Sequence, residues 1–143
     1  MDLSLDESQQ ILVDTFSEML EKECPTTHVR DCEETGFSSV LWNQYCELGA
    51  NIMGLPEANE GLEMSLLDLG LVANESGKAL APVPFIEVAV AGRLLAKLSP
   101  DDTLLGALTE GEPAVSLAIP RPNAVCGTSG GRAPSPPGPR AGA

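Results

Sequence analysis

Apolar positions in the first 120 residues recur at helical spacing. Ile11, Leu12, Thr15, Phe16, Met19 and Leu20 stand at i, i+1, i+4, i+5, i+8 and i+9, a single stripe with a period of about 3.6 residues. Asp6 is placed to cap that helix, with Gln9 as its capping-box partner, and the pattern predicts a helix to about Glu23. Pro25 restarts the chain in a first turn, where helices tolerate proline, predicting a shorter helix to about Glu34 that Gly36 ends. A third helix, capped by Ser38 or Ser39, carries Val40, Leu41, Trp42, Tyr45 and Leu48. Gly49 suits the left-handed position that closes it. Ile52-Met53-Gly54-Leu55-Pro56 is expected to be an extended connection, because the residue before proline avoids the helical region.

Ser65 opens a fourth helix through Leu66, Leu67, Leu69, Leu71, Val72 and Ala73, closed at Gly77. It is apolar almost all round and is expected to be the most buried. Pro82 and Pro84 break the chain before a fifth helix from Phe85 to about Leu98, and Asp101 or Asp102 caps a short sixth ending near Thr109. Ala114–Ile119 alternates small or polar with larger apolar residues, the pattern of a strand, which alone would lack a hydrogen-bonding partner. These segments predict an all-α protein: a bundle of about six helices over residues 1–112, one short strand over 113–120 that begins a missing β-domain, and a disordered tail over 121–143.

Composition sharpens the last boundary. All 21 acidic residues precede Arg121, whereas Arg121–Ala143 holds arginines, prolines and glycines and no acid. Such a stretch buries too little apolar surface to offset its ordering entropy. It is either a natural linker or tail or the out-of-frame translation of GC-rich DNA, and the abruptness of the change favours the second. The 143 residues suit one ordinary domain, 43% are hydrophobic, and only 3% are aromatic, so aliphatic side chains and methionine are expected to fill the core. A net charge of −13 argues against nucleic acid and anionic membrane surfaces, which need basic footprints. No run reaches the roughly 18 apolar residues of a membrane span, and the acidic N-terminus is unlike a secretory signal. Cys24, Cys32, Cys46 and Cys126 form no CxxC pair, and free thiols in the cytoplasm are expected.

Candidate chemistry is sparse. Cys24, His28 and Cys32 are four residues apart and of zinc-ligand type, but Pro25 spoils a shared helical face and no fourth ligand is near, so ordinary helix residues are expected and no metal. The same residues lack the orienting acid of a Cys–His nucleophile pair. Glu57, Glu60 and Glu63 with Asp68 lack the ligand pattern of a calcium loop and read as solvated. Glu33-Glu34 sit side by side at an exposed helix end. Gly127–Gly131 lacks the flanking elements and the Lys-Ser/Thr of a phosphate loop.

Four stretches resemble a known family. Met1–Gln10, with Asp6-Glu7-Ser8-Gln9-Gln10, is similar to the opening of acyl-CoA dehydrogenases. Trp42 with Glu47-Leu48-Gly49-Ala50 and Met53-Gly54-Leu55-Pro56-Glu57 resembles the family's third helix and the connection after it. Ser65–Leu69 with Glu75-Ser76-Gly77 resembles its buried helix, and Leu80-Ala81-Pro82-Val83-Pro84 leading to Arg93-Leu94-Leu95-Ala96 resembles bacterial members. The match runs over about residues 1–119 and identifies the chain as a member's N-terminal helical domain.

The resemblance implies a bundle packed on a middle β-domain and a C-terminal helical domain, helping to wall an acyl cavity. It further implies FAD in the complete enzyme, held mainly by those other domains and a neighbouring subunit. The reaction implied is α,β-dehydrogenation of an acyl-CoA thioester: a carboxylate base takes the α-proton and the β-hydrogen leaves as hydride to the flavin. The acyl group, fatty or a steroid side chain, is left open. The family's flavin motif and catalytic carboxylate are not in this sequence, so no catalytic residue or flavin ligand is carried over, and the chain alone is expected to bind no FAD and to be inactive. Where the family has a Gly-Gly-x-Gly turn, this chain has Glu60-Gly61-Leu62-Glu63, which puts the tight backbone path in question. Residues around Ala89–Leu98 face either the acyl cavity or a plain bundle core. The alternative function is a non-enzymatic helical subunit docking on a partner dehydrogenase subunit.

Overall fold

A computed structural model describes residues 4–112. The expected strand over 113–120, the expected tail over 121–143 and Cys126 lie outside the described residues. Within them the chain forms α1 (Glu7–Glu23), α2 (Thr26–Asp31), α3 (Ser39–Glu47), a 3-10 turn at Glu57–Asn59, α4 (Leu66–Lys78), α5 (Phe85–Leu98) and α6 (Thr103–Thr109), with no strand among the described residues.

Helix starts follow the side chains at their caps. Asp6 accepts from the Gln9 N–H (2.8 Å), and the Gln9 carboxamide oxygen accepts from the Asp6 N–H (3.2 Å), closing a capping box. Ser65 and Asp68 build a second box at α4, while Ser38 and Asp102 cap α3 and α6. The two boxes are joined, because the Gln9 amide donates to Asp68 Oδ1 (3.2 Å). At the other end the Cys24 thiol lies 3.8 Å from the Ala79 carbonyl. α1 and α4 therefore run parallel, and theirs is the broadest helix–helix packing in the fold.

Aliphatic side chains and Met53 make up most of the core, as composition suggests. Few as they are, aromatics occupy its centre: Tyr45 is fully buried and its ring meets those of Phe16 (5.5 Å between centroids), Phe85 (6.0 Å) and Trp42 (6.3 Å). Leu20, Leu41, Leu55, Val72, Val88 and Leu108 close around them. One ring buries more apolar area than an aliphatic side chain, so four suffice to connect α1, α3 and α5.

Polar clamps fix the C-terminal end of α6 and the turn after it against α3 and the turn that follows α3. The Trp42 indole donates to the Gly111 carbonyl (2.6 Å), and the buried Asn51 amide donates to the carbonyls of Leu108 (2.8 Å) and Thr109 (3.2 Å). These bonds satisfy carbonyls that a helix end leaves orphaned.

Four local expectations need correction. α4 does not stop at Gly77 but continues to Lys78. Its close is a Schellman motif, with Ala81 N–H to the Ser76 carbonyl (3.0 Å) and Leu80 N–H to the Gly77 carbonyl (3.2 Å). Leu80 takes the left-handed residue of that motif at φ 51°, whereas glycines fill it after α3 (Gly49, 76°) and α6 (Gly111, 88°). α4 is also not the most buried helix. Leu69, Val72, Glu75 and Ser76 are inside, but Leu66 and Leu67 are 70% and 56% exposed, because its apolar residues surround the helix while only one side meets the bundle. Finally, α2 ends at Asp31, and Ile52–Gly54 turns rather than extends, with Leu55 N–H reaching back to the Ile52 carbonyl (3.1 Å).

That turn shapes the connection after it. The carbonyls of Ile52, Met53 and Leu55 accept from the N–H groups of Leu62 (3.1 Å), Met64 (2.9 Å) and Glu63 (2.8 Å). Gly61 lies so close that a Cβ there would overlap the Leu55 carbonyl. The tight path questioned at the sequence level is kept without its flanking glycines: Glu60 and Glu63 adopt φ 59° and 49°.

Candidate ligand groove

A concavity lies between the outward face of α5 and the connection that precedes α4. It has a volume of about 580 Å³ and is lined by Gly54, Pro56, Glu63, Leu66, Val90, Arg93, Leu94, Ala96 and Lys97. The periodicity of α5 produces the split: Val88, Ala89, Ala91, Gly92 and Ala96 are buried, while Val90 and Leu94 are 47% and 42% exposed. The Ala89–Leu98 segment thus serves both as core and as groove wall.

Arg93 is fixed there by two local features. Its guanidinium donates to the Met64 carbonyl (3.1 Å), and its stem lies against Gly54, where an added Cβ would come within 3.0 Å of Arg93 Cγ. Lys97 follows one helical turn later on the same face. Sequence reading placed both within Ala89–Leu98, facing either an acyl cavity or a plain bundle core, without marking either for its charge. The available signal was a pair of cations at i and i+4 on an apolar helix of an acidic chain.

The other candidates separate. The Cys24 thiol is buried toward Ala79, and burial, with the neighbouring Cys32, pushes it above its ordinary range. His28 Nε2 is hydrogen-bonded to Ser38 Oγ (2.8 Å) and lies 4.0 Å from Cys32 Sγ. No group of three or more His, Cys, Asp or Glu among the described residues is arranged to hold a metal. Cys24, Cys32 and Cys46 are free thiols, and burial raises Cys46 as well. Glu57 starts the 3-10 turn, Glu60 and Glu63 sit at left-handed positions, and Asp68 caps α4. Hydrogen bonding by Ser65 holds the Asp68 carboxyl below the usual range. Glu33 and Glu34 are exposed in the turn after α2.

Glu75 is the buried carboxylate, at 6% exposure, paired with Lys78 (2.7 Å) and bonded by the Asn74 amide (3.2 Å). Nearby, Ser76 donates to the Val72 carbonyl (2.8 Å), which leaves its oxygen to accept the Tyr45 hydroxyl (2.7 Å). Burial pushes the Tyr45 phenol up to about 12.

The chain belongs to the acyl-CoA dehydrogenase family: the family model for the acyl-CoA dehydrogenase N-terminal domain matches residues 6–101. Among its relatives, the acyl-CoA dehydrogenase IpdE2 of Mycobacterium tuberculosis is 31% identical over 117 residues, covering 79% of this chain and 37% of that protein. The probable acyl-CoA dehydrogenase YdiO of Escherichia coli K12 is 25% identical over 129 residues, covering 87% of this chain and 34% of that protein. The fold matches a chain of the ChsE4-ChsE5 complex from Mycobacterium tuberculosis with a TM-score of 0.70 and 24% identity, over 78% of this chain and 32% of that one. The chain thus spans about a third of the length of these relatives.

The lining of this groove does not fit a flavin dinucleotide. A pyrophosphate is typically received by a glycine-rich turn leading into a helix N-terminus, and the groove instead offers the C-terminal half of α5, walled by aliphatic side chains. No helix among the described residues is long and apolar enough to cross a membrane.

Proposed function

We propose that this chain is the N-terminal helical domain of a flavin-dependent acyl-CoA dehydrogenase, acting in the cytoplasm together with companion domains that hold FAD and carry the catalytic base. The observation that carries this reading is the apolar surface left outward by a domain of this family: Leu66 and Leu67 on α4, and Ile86, Val90, Leu94 and Leu98 on α5. Exposed large apolar side chains gathered on two neighbouring helices, with Leu66, Val90 and Leu94 lining one groove, are the mark of a surface that another body covers. Covered, it would wall the space in which an acyl-CoA thioester is dehydrogenated between its α and β carbons, with the flavin supplying hydride acceptance. A separately encoded partner dehydrogenase subunit would meet the same requirement. The solved neighbour is a chain of the ChsE4-ChsE5 complex, which gives that arrangement a precedent in the fold.

The reading is tested by purifying the chain with excess FAD and assaying it with acyl-CoA thioesters and an electron-accepting dye. The chain alone should be colourless and inactive. A yellow one-to-one complex that reduces the dye would overturn the assignment of flavin and base to companion domains.

A further inference from the structure

The outward face of α5 is complementary to its own reverse. The exposed residues of the helix are Ile86, Glu87, Val90, Leu94, Lys97 and Leu98. Taken about residue 92 as midpoint they pair by kind: Val90 with Leu94, Glu87 with Lys97, and Ile86 with Leu98. At 3.6 residues per turn all six fall within about a third of the helix circumference. Glu87 is in the first turn and Lys97 in the last, where the helix dipole favours each sign. The dipole does not account for apolar residues set symmetrically between and beyond the two charges. No ion pair engages Glu87 or Lys97 among the described residues.

We propose that this face binds a second copy of the chain, the two α5 helices lying antiparallel about a two-fold axis at the level of residue 92. A two-fold contact requires a surface complementary to itself, and this register supplies one. It sets Val90 against Leu94 of the other copy, each Glu87 against a Lys97, and each Ile86 against a Leu98. A parallel pairing would instead bring like charges together. The charges stand about 7.5 Å from the centre along the helix, so a shallow crossing near +20° keeps them in reach. The net charge of −13 opposes association at long range, and a single helix face is smaller than the roughly 1,200 Å² of a stable interface. The dimer is therefore weak, with a Kd of about 100 µM, and the chain is a monomer at low micromolar concentration. The inference goes beyond the dehydrogenase reading: companion domains would compete for this face, and the pairing belongs to the chain free of them.

The test is sedimentation velocity of the full chain between about 5 and about 500 µM, a range that brackets the expected Kd, beside the charge reversals Glu87→Lys and Lys97→Glu. The parent should pass from monomer to dimer and no further. Dilution should shift the amide resonances of residues 86–98 and leave those of α1 in place. Each reversal alone sets like charges against each other across the axis and should weaken the dimer at least about tenfold. Mixing the Glu87→Lys chain with the Lys97→Glu chain restores both opposite pairs, so the mixture should form a heterodimer about as tightly as the parent pairs with itself. Both positions are exposed, and circular dichroism of each variant should match the parent. A parent that stays monomeric at about 500 µM would overturn the proposal, as would dilution shifts lying outside α5. So would a single reversal that dimerises like the parent, or a mixture that associates no better than its components.

Discussion

Single residues in this domain stand where side-chain chemistry and backbone geometry disagree. Glu60, Glu63 and Leu80 hold left-handed conformations that cost an L-residue on the order of 1–2 kcal/mol each. Glycine removes that strain but loses more entropy on folding. Glu60→Gly and Leu80→Gly are therefore expected to stabilise the fold by up to about 1 kcal/mol each, raising the urea midpoint without changing its slope. Gly61→Ala goes the other way, because its methyl would overlap the Leu55 carbonyl, and a loss of about 1–3 kcal/mol is expected.

The Tyr45–Ser76 pair makes a second residue-scale prediction. Tyr45→Phe leaves Ser76 still bonded to Val72, so the cost should be about 1 kcal/mol. Ser76→Ala strands a buried phenol and should cost more, about 1–3 kcal/mol. Tyr45 is the protein's single tyrosine, so the tyrosinate absorbance reads it alone. In the folded protein it should titrate near a value of about 12. A pKa raised in the fold contributes fully below the unfolded-state value and is lost as pH rises through the folded one. Alkaline destabilisation should therefore begin near pH 10, the ordinary tyrosine value, and be weaker in Tyr45→Phe.

Among the elements, the joined capping boxes of α1 and α4 are the feature most open to test. Asp68 closes its own helix and receives Gln9 from the other. Its carboxyl is held below the usual range, so its stabilisation is complete at neutral pH and disappears as pH falls through the lowered value. Asp68→Asn should cost about 1 kcal/mol at neutral pH, and the gap from the parent should narrow in acid, as chemical denaturation at a series of pH values would show.

Much at this scale was legible in the sequence. α1, α5 and α6 begin and end where their caps and periodicity place them, and Ser38 and Ser65 cap as read, because capping is a local interaction. α4 was misjudged in two ways. Its interior glycine resembles a stop signal, yet Leu80 supplies the left-handed turn. Its all-round apolar composition describes a helix covered on all sides, whereas this bundle covers only one. The groove was not legible because it combines α5 with a connection more than 25 residues away, about seven helical turns of sequence, and Gly54 admits Arg93 by geometry that no spacing rule encodes. The 60–63 turn was questioned for lost glycines, and non-glycine residues follow the path under strain.

At the scale of the whole molecule the domain is a wall with one finished side. The inner side is closed by Phe16, Trp42, Tyr45 and Phe85, and no buried side-chain nitrogen or oxygen among the described residues lacks a hydrogen-bond partner. The outer side presents leucines and valines from α4 and α5 around the groove. On the function proposed above, in a chain that belongs to the acyl-CoA dehydrogenase family and spans about a third of its relatives, the outer side is where flavin-bearing domains would rest.

The most direct measurement of that claim is oxidative footprinting of Leu66, Leu67 and Leu94, in the isolated chain and in a chimera. In the chimera, residues 1–112 replace the corresponding helical domain of the mycobacterial relative IpdE2. The account predicts a flavin-loaded chimera in which these leucines are protected, while exposed Val40 on α3 labels equally in both. A flavin-loaded chimera whose Leu66, Leu67 and Leu94 label as fast as in the isolated chain would contradict it.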